Sequence, residues 1–221
     1  IMREFDLLKI YPNIKARLVS KTTRTIRNKI IATRKDKEFY DGDRNNGYGG
    51  YKYDGRWKNI AQNIVKRYNL KPGSKVLQIG CDKGFLLYDL KKNYPKLKVY
   101  GVENSKYPIT KAPKLIKKKI YLSNFTELPF KKNFFDFVIA MGPVYSLNLS
   151  DAIKCLKEIK RVGKGKSFIT LGSYENDIEQ KLFNYWTLLG STIISKKDWR
   201  YLLKYVKYNG EYKFNTARTL N

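Results

Sequence analysis

The sequence predicts an α/β domain in which a doubly wound, mostly parallel sheet carries helices on both faces. Three observations lead there. Between about residues 57 and 215, short apolar runs alternate with stretches whose apolar residues recur every three or four positions. Strands separated by helices return by crossovers, which makes neighbouring strands parallel. The first strand runs directly into a glycine-punctuated turn, Val76-Leu77-Gln78-Ile79-Gly80-Cys81-Asp82-Lys83-Gly84, and an acid, Glu103, ends the next strand nineteen residues after Gly84. A turn of that kind followed by an acid about 20 residues on is the general arrangement for a nucleoside-bearing ligand.

The elements follow in order. Trp57, Ile60, Ala61, Ile64 and Tyr68 have helical spacing, and Pro72-Gly73 marks the turn after them. Lys75 to Ile79 is a buried-strand pattern, Phe85 to Asn93 a helix, Leu97 to Val102 a strand and Ile109 to Lys118 a weak helix. Ile120-Tyr121-Leu122 is a short strand and Phe135 to Met141 a stronger one. Ser150 is the expected N-cap of a helix carrying Ala152, Ile153, Leu156 and Ile159. Lys166 to Leu171 reads as a strand, Asp177 to Leu188 and Lys197 to Tyr208 as helices, and Glu211 to Thr216 as a last extended segment. No repeat with a period of 20 to 50 residues is visible.

Ahead of this domain, expected over 57–221, lies a different composition. Residues 1 to 37 carry eleven Lys or Arg against three acids, with Ile14, Leu18, Ile26, Ile30 and Ile31 available for one apolar helix stripe. Residues 38 to 57, E-F-Y-D-G-D-R-N-N-G-Y-G-G-Y-K-Y-D-G-R-W, set five glycines among large rings. A merely flexible linker has no use for so many rings, so the stretch reads as a lid over a ligand or as a loop docked on the core. Residues 1–56 are therefore expected to form a basic helical arm followed by a Gly/Tyr-rich lid.

The chain has 221 residues, 42% of them hydrophobic and 14% aromatic, enough for a single ample core. With no histidine it excludes a Ser-His-Asp triad and a His-ligated metal centre, and no metal site is expected. Two cysteines, Cys81 and Cys155, exclude a disulfide scaffold. The net charge of +27 has two readings: a partner of negative charge, or the Lys, Asn, Ile, Tyr and Phe that AT-rich codons supply. Lysines outnumber arginines 35 to 11, and phosphate recognition favours arginine, so the compositional reading leads. The start of the chain has no apolar segment of the secretory kind, and the longest uncharged run, Phe137 to Ser150, is too short to span a bilayer. A cytoplasmic location is expected.

Five segments in sequence now carry a family resemblance. Residues 76–84 are similar to V-L-D-I-G-C-G-x-G, and Glu103 stands where an acid ends strand two. Ser123-Asn124-Phe125-Thr126-Glu127-Leu128-Pro129-Phe130 echoes G-D-A-x-x-L-P-F, Phe135-Asp136-Phe137-Val138 matches F-D-x-V, and Leu156 to Val162 matches L-x-E-I-x-R-V. In this order and spacing they resemble class I S-adenosylmethionine-dependent methyltransferases, from about Pro72 to Ser173, and Y-G-G-Y-K-Y-D-G-R-W resembles a bacterial subgroup of them. The resemblance implies a Rossmann-like fold and S-adenosylmethionine as methyl donor, with S-adenosylhomocysteine as product. It implies a backbone cradle at Gly80, Cys81 and Gly84, with Gln78 and Asp82 near the methionine ammonium. Glu103 would bind the ribose, Asn104, Asn124 and Phe125 the adenine, and Met141 would lie beside the cofactor. Gln78, Asp82 and Asn124 depart from the family's Asp, Gly and Asp. The family's closing antiparallel hairpin has room here for one strand after Tyr208, its last strand being missing, very short or supplied differently.

Methyl transfer is an in-line displacement with an excellent leaving group, so orientation and desolvation carry much of it. If a base takes part, Tyr145, Tyr53 and Asp54 are the candidates. Tyr48, Tyr51, Arg56, Asn148 and Trp186 are candidates to bind the acceptor, and Tyr185 and Trp199 either join them or belong to the core. The expected acceptor is the N, O or S of a small molecule. The alternatives are RNA bound by the basic N-terminal region, or a cofactor-binding protein without catalysis.

Overall fold

The computed structural model describes residues 2–12 and 24–216. Among them the chain folds into β1 (Arg3–Glu4), α1 (Ile26–Thr33), α2 (Lys37–Asp41), α3 (Lys58–Arg67), β2 (Lys75–Ile79), α4 (Phe85–Asn93) and β3 (Lys98–Glu103). Next come α5 (Lys106–Thr110), α6 (Lys114–Lys117), β4 (Ile120–Leu122), β5 (Phe137–Met141), α7 (Pro143–Ser146), α8 (Leu149–Val162) and β6 (Ser167–Tyr174). The last are α9 (Asp177–Trp186), β7 (Ile194–Ser195), α10 (Lys196–Tyr205) and β8 (Glu211–Asn215).

The sheet has the order β1-β8-β6-β5-β2-β3-β4, with β7 also on β6, and every pair recorded among the described residues is parallel. Strand alternation sorts the apolar residues onto two faces. Leu77, Ile79, Val138, Ala140, Ile169 and Leu171 pack with Ala152, Leu156 and Ile159 of α8 and with Trp199 and Leu203 of α10. Val76, Val99, Phe137, Ile139 and Phe168 pack on the other side with Ile60 and Ile64 of α3 and Leu86, Leu87 and Leu90 of α4. A strand buried on both faces needs apolar residues at every position, and the burial of all of Phe137–Ala140 shows this.

The structure corrects several sequence expectations. The expected helix at 109–118 is two short helices, because Pro113, between them, lacks the N–H that a continuous helix requires. The helix read as capped by Ser150 starts two residues earlier, and Asn148 is the cap, its side chain accepting from the Asp151 amide at 3.0 Å. The final strand does not join an antiparallel hairpin: α10 reverses the chain, so β8 arrives parallel to β6. The outer edge is supplied from the other end of the chain, by β1. With Leu7 fully buried against the α3 and α4 face, the N-terminal residues are built into the domain as well as preceding it. Of the stripe expected in the basic arm, Ile14 and Leu18 lie outside the described residues, while Ile26 and Ile30 are exposed and Ala32 is the buried residue of α1.

Candidate active site

Strand order reverses at β2, which has β3 on one side and β5 on the other. A crevice opens beyond the carboxyl ends of strands at such a switch point. Here a cavity of about 250 Å³ lies against Gly80 after β2, Glu103 ending β3, Phe125 after β4, and Met141 with Gly142 at the end of β5. Its roof comes from elsewhere: Arg24 and Lys35 of the arm, Phe39, Arg44, Gly47 and Tyr48 of the lid, and Thr187 to Gly190 after α9.

The turn after β2 is built to be approached closely. Gly80 has φ +63°, and a Cβ there would come within 2.3 Å of the Pro143 ring at the start of α7. Gly84 has φ +74°, and a Cβ there would meet Ile116 at 2.6 Å, so its absence lets α4 and α6 pack together. The amides of Gly80 and Cys81 donate to the Val102 carbonyl, and that of Gly84 to the Cys81 carbonyl. Two of these amides tie the turn to β3 and the third closes it on itself, so the cradle is one of shape. Cys81 is buried in the core, where burial raises its thiol pKa.

Glu103 is 1% exposed. Its Oε1 accepts from the amides of Asn104 and Ser105 at 2.9 and 3.1 Å, and its Oε2 from the Asp82 amide at 3.0 Å. Burial and the adjacent Asp82 carboxylate push its pKa up to about 7. Asp82, at φ +51°, turns its carboxylate to the lid: Oδ1 accepts from the Tyr40 hydroxyl at 2.8 Å and Oδ2 from the Tyr48 hydroxyl at 2.9 Å. Burial raises the pKa of Asp82 and of both tyrosines.

The lid has a small core of its own, with Ala32, Phe39 and Tyr40 packed against Tyr51, Tyr107, Leu188 and Leu189. Tyr40, Tyr48 and Tyr51 form a stack, at 5.7 and 4.5 Å between successive ring centres, and Tyr51 rests on Phe85 at 4.8 Å. Beneath it, Lys83 is 5% exposed and donates to both carboxylate oxygens of Asp41 at 2.6 and 2.7 Å and to the Tyr51 carbonyl at 2.8 Å. Tyr107 donates to Asp41 as well, at 2.8 Å. The arm grips the end of β3: the Lys35 ammonium donates to Asn104 Oδ1 at 3.1 Å and lies 5.6 Å above the Phe125 ring, while the Ser105 hydroxyl donates to the Lys35 carbonyl.

Of the residues singled out from sequence, Gly80, Asp82, Glu103, Phe125, Met141, Tyr48, Tyr145 and Trp186 meet at this cavity. Gln78 and Asn104 do not line it: Gln78 is buried in β2 and Asn104 is exposed, next in sequence to Glu103. Gln78 Oε1 is buried with no hydrogen-bond partner among the described residues, a free acceptor beside the turn. The others lie elsewhere. Asn124 is exposed. Tyr51 lies below Tyr48 in the stack. Tyr53 donates to Asp89 at 2.6 Å, which together with burial pushes its pKa up to about 12. Asp54 and Arg56 pair with each other, and Arg56 also donates to Tyr11. Asn148 is the α8 cap. Trp199 is fully buried, donating to the Gly172 carbonyl at 2.8 Å. Tyr145 is hydrogen-bonded to the Asn215 side chain, and burial raises its pKa, so it stays protonated at neutral pH.

Arg24, Lys35, Arg44 and Tyr40 were not singled out from sequence. Tyr40 belongs to the Gly/Tyr-rich stretch and carries its signal. The arm residues sit in an unpatterned basic region that gives none.

A methyltransferase-domain family model matches residues 70–207, well over half of the chain. The chain belongs to this methyltransferase-domain family. The match begins just before β2 and ends after α10, so it spans every wall of the cavity that the sheet supplies. No group of potential metal-ligating side chains occurs among the described residues. The rice (Oryza sativa subsp. japonica) cycloartenol-C-24-methyltransferase 1 is 33% identical over 46% of this chain and 30% of its own length. An uncharacterized protein of Methanocaldococcus jannaschii is 30% identical over 55% of this chain and 51% of its own. The chain thus spans about half or less of the curated relatives it matches. In fold, the protein bound to the Haloferax volcanii Trm112 methyltransferase activator in a solved complex gives a TM-score of 0.54 at 20% identity, over 69% of this chain and 72% of that one. No helix among the described residues is long and apolar enough to cross a membrane.

Proposed function

We propose that the protein transfers the methyl group of S-adenosylmethionine to N, O or S of a small-molecule acceptor held under the Gly/Tyr-rich lid. The observation that carries this reading is the Tyr40–Asp82–Tyr48 clamp, which fastens the lid to the cofactor turn and roofs a cavity of about 250 Å³ beside Glu103. A space roofed by hydroxyl-to-carboxylate bonds suits a metabolite rather than a polynucleotide. The basic arm supports the same reading, because Arg24 and Lys35 turn into the cavity.

The residues present fit the donor. Glu103 offers a buried carboxylate, already oriented from behind by three amides, for the ribose hydroxyls. Phe125 offers a flat apolar face for the adenine, with Asn104 at its edge. Gln78 Oε1 is an acceptor without a donor, next to the expected position of the methionine ammonium. Bound there, the donor would supply a methyl group on a sulfonium for the acceptor's lone pair, the C–S electrons staying on sulfur and any proton the acceptor atom carries leaving to solvent. Met141, Gly142 and Tyr145 border the place where the acceptor must lie. With Tyr145 protonated at neutral pH, its part is to orient the acceptor and exclude water.

A methyl-transfer screen with labelled S-adenosylmethionine against cell metabolites and total RNA tests the reading. Label appearing in a metabolite fraction supports it. Label in RNA alone would replace it with the nucleic-acid alternative, and label in neither, with tight cofactor binding, would leave a binding protein.

A further inference from the structure

We infer that Lys35 of the arm is a positioning residue of the cofactor site: its ammonium is the counter-charge that keeps Glu103 ionised to receive the ribose. The inference rests on the methyl-transfer reading. It adds to that site a residue from outside residues 70–207, which the family model matches.

The backbone marks the position first. Lys35 follows the last turn of α1 at φ +47°, in the left-handed region. Its amide donates to the Ala32 carbonyl at 3.1 Å and so closes the helix end. Glycine or asparagine ordinarily fills such a place, because a larger side chain is strained there. A lysine held in this conformation points to a use for its side chain. Both ends of the residue are then fastened to the segment after β3. The Ser105 hydroxyl donates to its carbonyl at 2.7 Å, and its ammonium donates to Asn104 Oδ1 at 3.1 Å. Asn104 follows Glu103 directly, and its amide is one of the three that hold the Glu103 carboxylate. Lys35 and Glu103 border the same cavity.

The charges around Glu103 call for a cation. Its carboxylate is 1% exposed and accepts the amide of Asp82, which carries a second carboxylate. Tyr40 and Tyr48 face Asp82 from the lid as uncharged donors, and Cys81 adjoins from the turn as a thiol whose pKa burial raises. Lys83 is engaged by Asp41. Arg24 and Arg44 border the cavity with bonds to the Trp186 and Gly47 carbonyls. Burial and then Asp82 raise the pKa of Glu103, and Lys35 is the cation that acts against both. It acts on Asp82 in the same direction. Without the ammonium, Glu103 would hold its proton to a higher pH and offer the ribose one acceptor fewer.

The test titrates the full chain with S-adenosylhomocysteine by calorimetry from pH 6 to 9. Lys35→Gln keeps a donor for Asn104 and removes the charge. It should weaken binding about fivefold at pH 7 and by less than about twofold at pH 9, the profile moving up by about one pH unit. Lys35→Arg keeps the charge and should leave the profile in place. Ser105→Ala frees the Lys35 carbonyl and should move the profile the same way by less; it carries the test should Lys35→Gln not fold. A loss of equal size at every pH, as a purely structural contact gives, or no loss at all, overturns the inference while leaving methyl transfer standing. Failure of the wild-type chain to bind S-adenosylhomocysteine at any pH removes the methyl-transfer reading itself, and this inference with it.

Discussion

The sheet end of the cavity and its lid meet at Asp82, yet they are held by different kinds of contact. At the sheet end, main-chain groups dominate: the Glu103 carboxylate sits on three amides, and the Gly80 and Cys81 amides fold back onto Val102. In the lid, side chains dominate: Tyr40 and Tyr48 reach Asp82, Tyr107 and Lys83 reach Asp41, and Tyr53 reaches Asp89. Main-chain geometry follows from strand pairing and tolerates many sequences. A lid assembled from tyrosine hydroxyls and scattered carboxylates depends on each partner. The sheet end should therefore hold its shape without ligand, while the lid should open and close on contacts that single substitutions can remove.

Four experiments can break or sharpen this contrast. Glu103→Ala removes the carboxylate at the sheet end and should weaken S-adenosylhomocysteine binding about 100-fold or more, since hydrogen bonds to a charged group contribute roughly 1.5–3 kcal/mol each. Calorimetry checks it, and a loss below threefold would unseat Glu103 as the ribose site. Tyr40→Phe combined with Tyr48→Phe leaves Asp82 without its two hydroxyl donors. We expect cofactor affinity and turnover to fall roughly thirtyfold, by loss of two hydrogen bonds each of about 1 kcal/mol net, with faster proteolysis within residues 37–56. Unchanged proteolysis would mean that the lid is held by its ring stack alone.

The third experiment concerns pH. Burial and Asp82 raise the folded-state pKa of Glu103 to about 7, above its ordinary value. Only the ionised form accepts two ribose hydroxyls, so affinity for S-adenosylhomocysteine should rise several-fold, at most about tenfold per pH unit, from pH 6 to 8. Glu103→Gln should flatten the profile. Without ligand the sign is opposite for stability: the native state binds the extra proton, so this group's contribution falls as pH rises from the ordinary glutamate range towards 7. Thermal melts across that range read this directly. The smallest effect is expected outside both regions. Asp54→Ala or Arg56→Ala breaks a partly exposed pair and should change turnover by less than about twofold, as surface ion pairs generally do.

The same contrast explains what could be read in advance. The sheet end was legible because strand period, turn glycines and the spacing to Glu103 are local or nearly local features. Gly80, Glu103, Phe125 and Met141 accordingly meet where the motifs place them. The lid was legible as a composition but not as a set of partners. Nothing in the order of residues distinguishes Tyr48, which faces the cavity, from Tyr53, which faces Asp89, because the choice is made by where α4 presents its carboxylate. Asn148 looked like an acceptor ligand until α8 was seen to begin beside it, since the residue type that caps a helix also binds polar substrates. The parallel approach of β8 and the edge strand from residues 3 and 4 depend on long-range pairing that no local pattern encodes. Arg24 and Lys35 were hidden in a uniformly basic stretch and took on meaning only once the arm was seen to turn inward.

The most direct test of the account is a calorimetric titration of the full chain with S-adenosylhomocysteine, run beside Glu103→Ala. The account predicts saturable binding of one molecule per chain, lost or severely weakened in the variant. No binding to the wild-type chain, or equal binding to both, would contradict it.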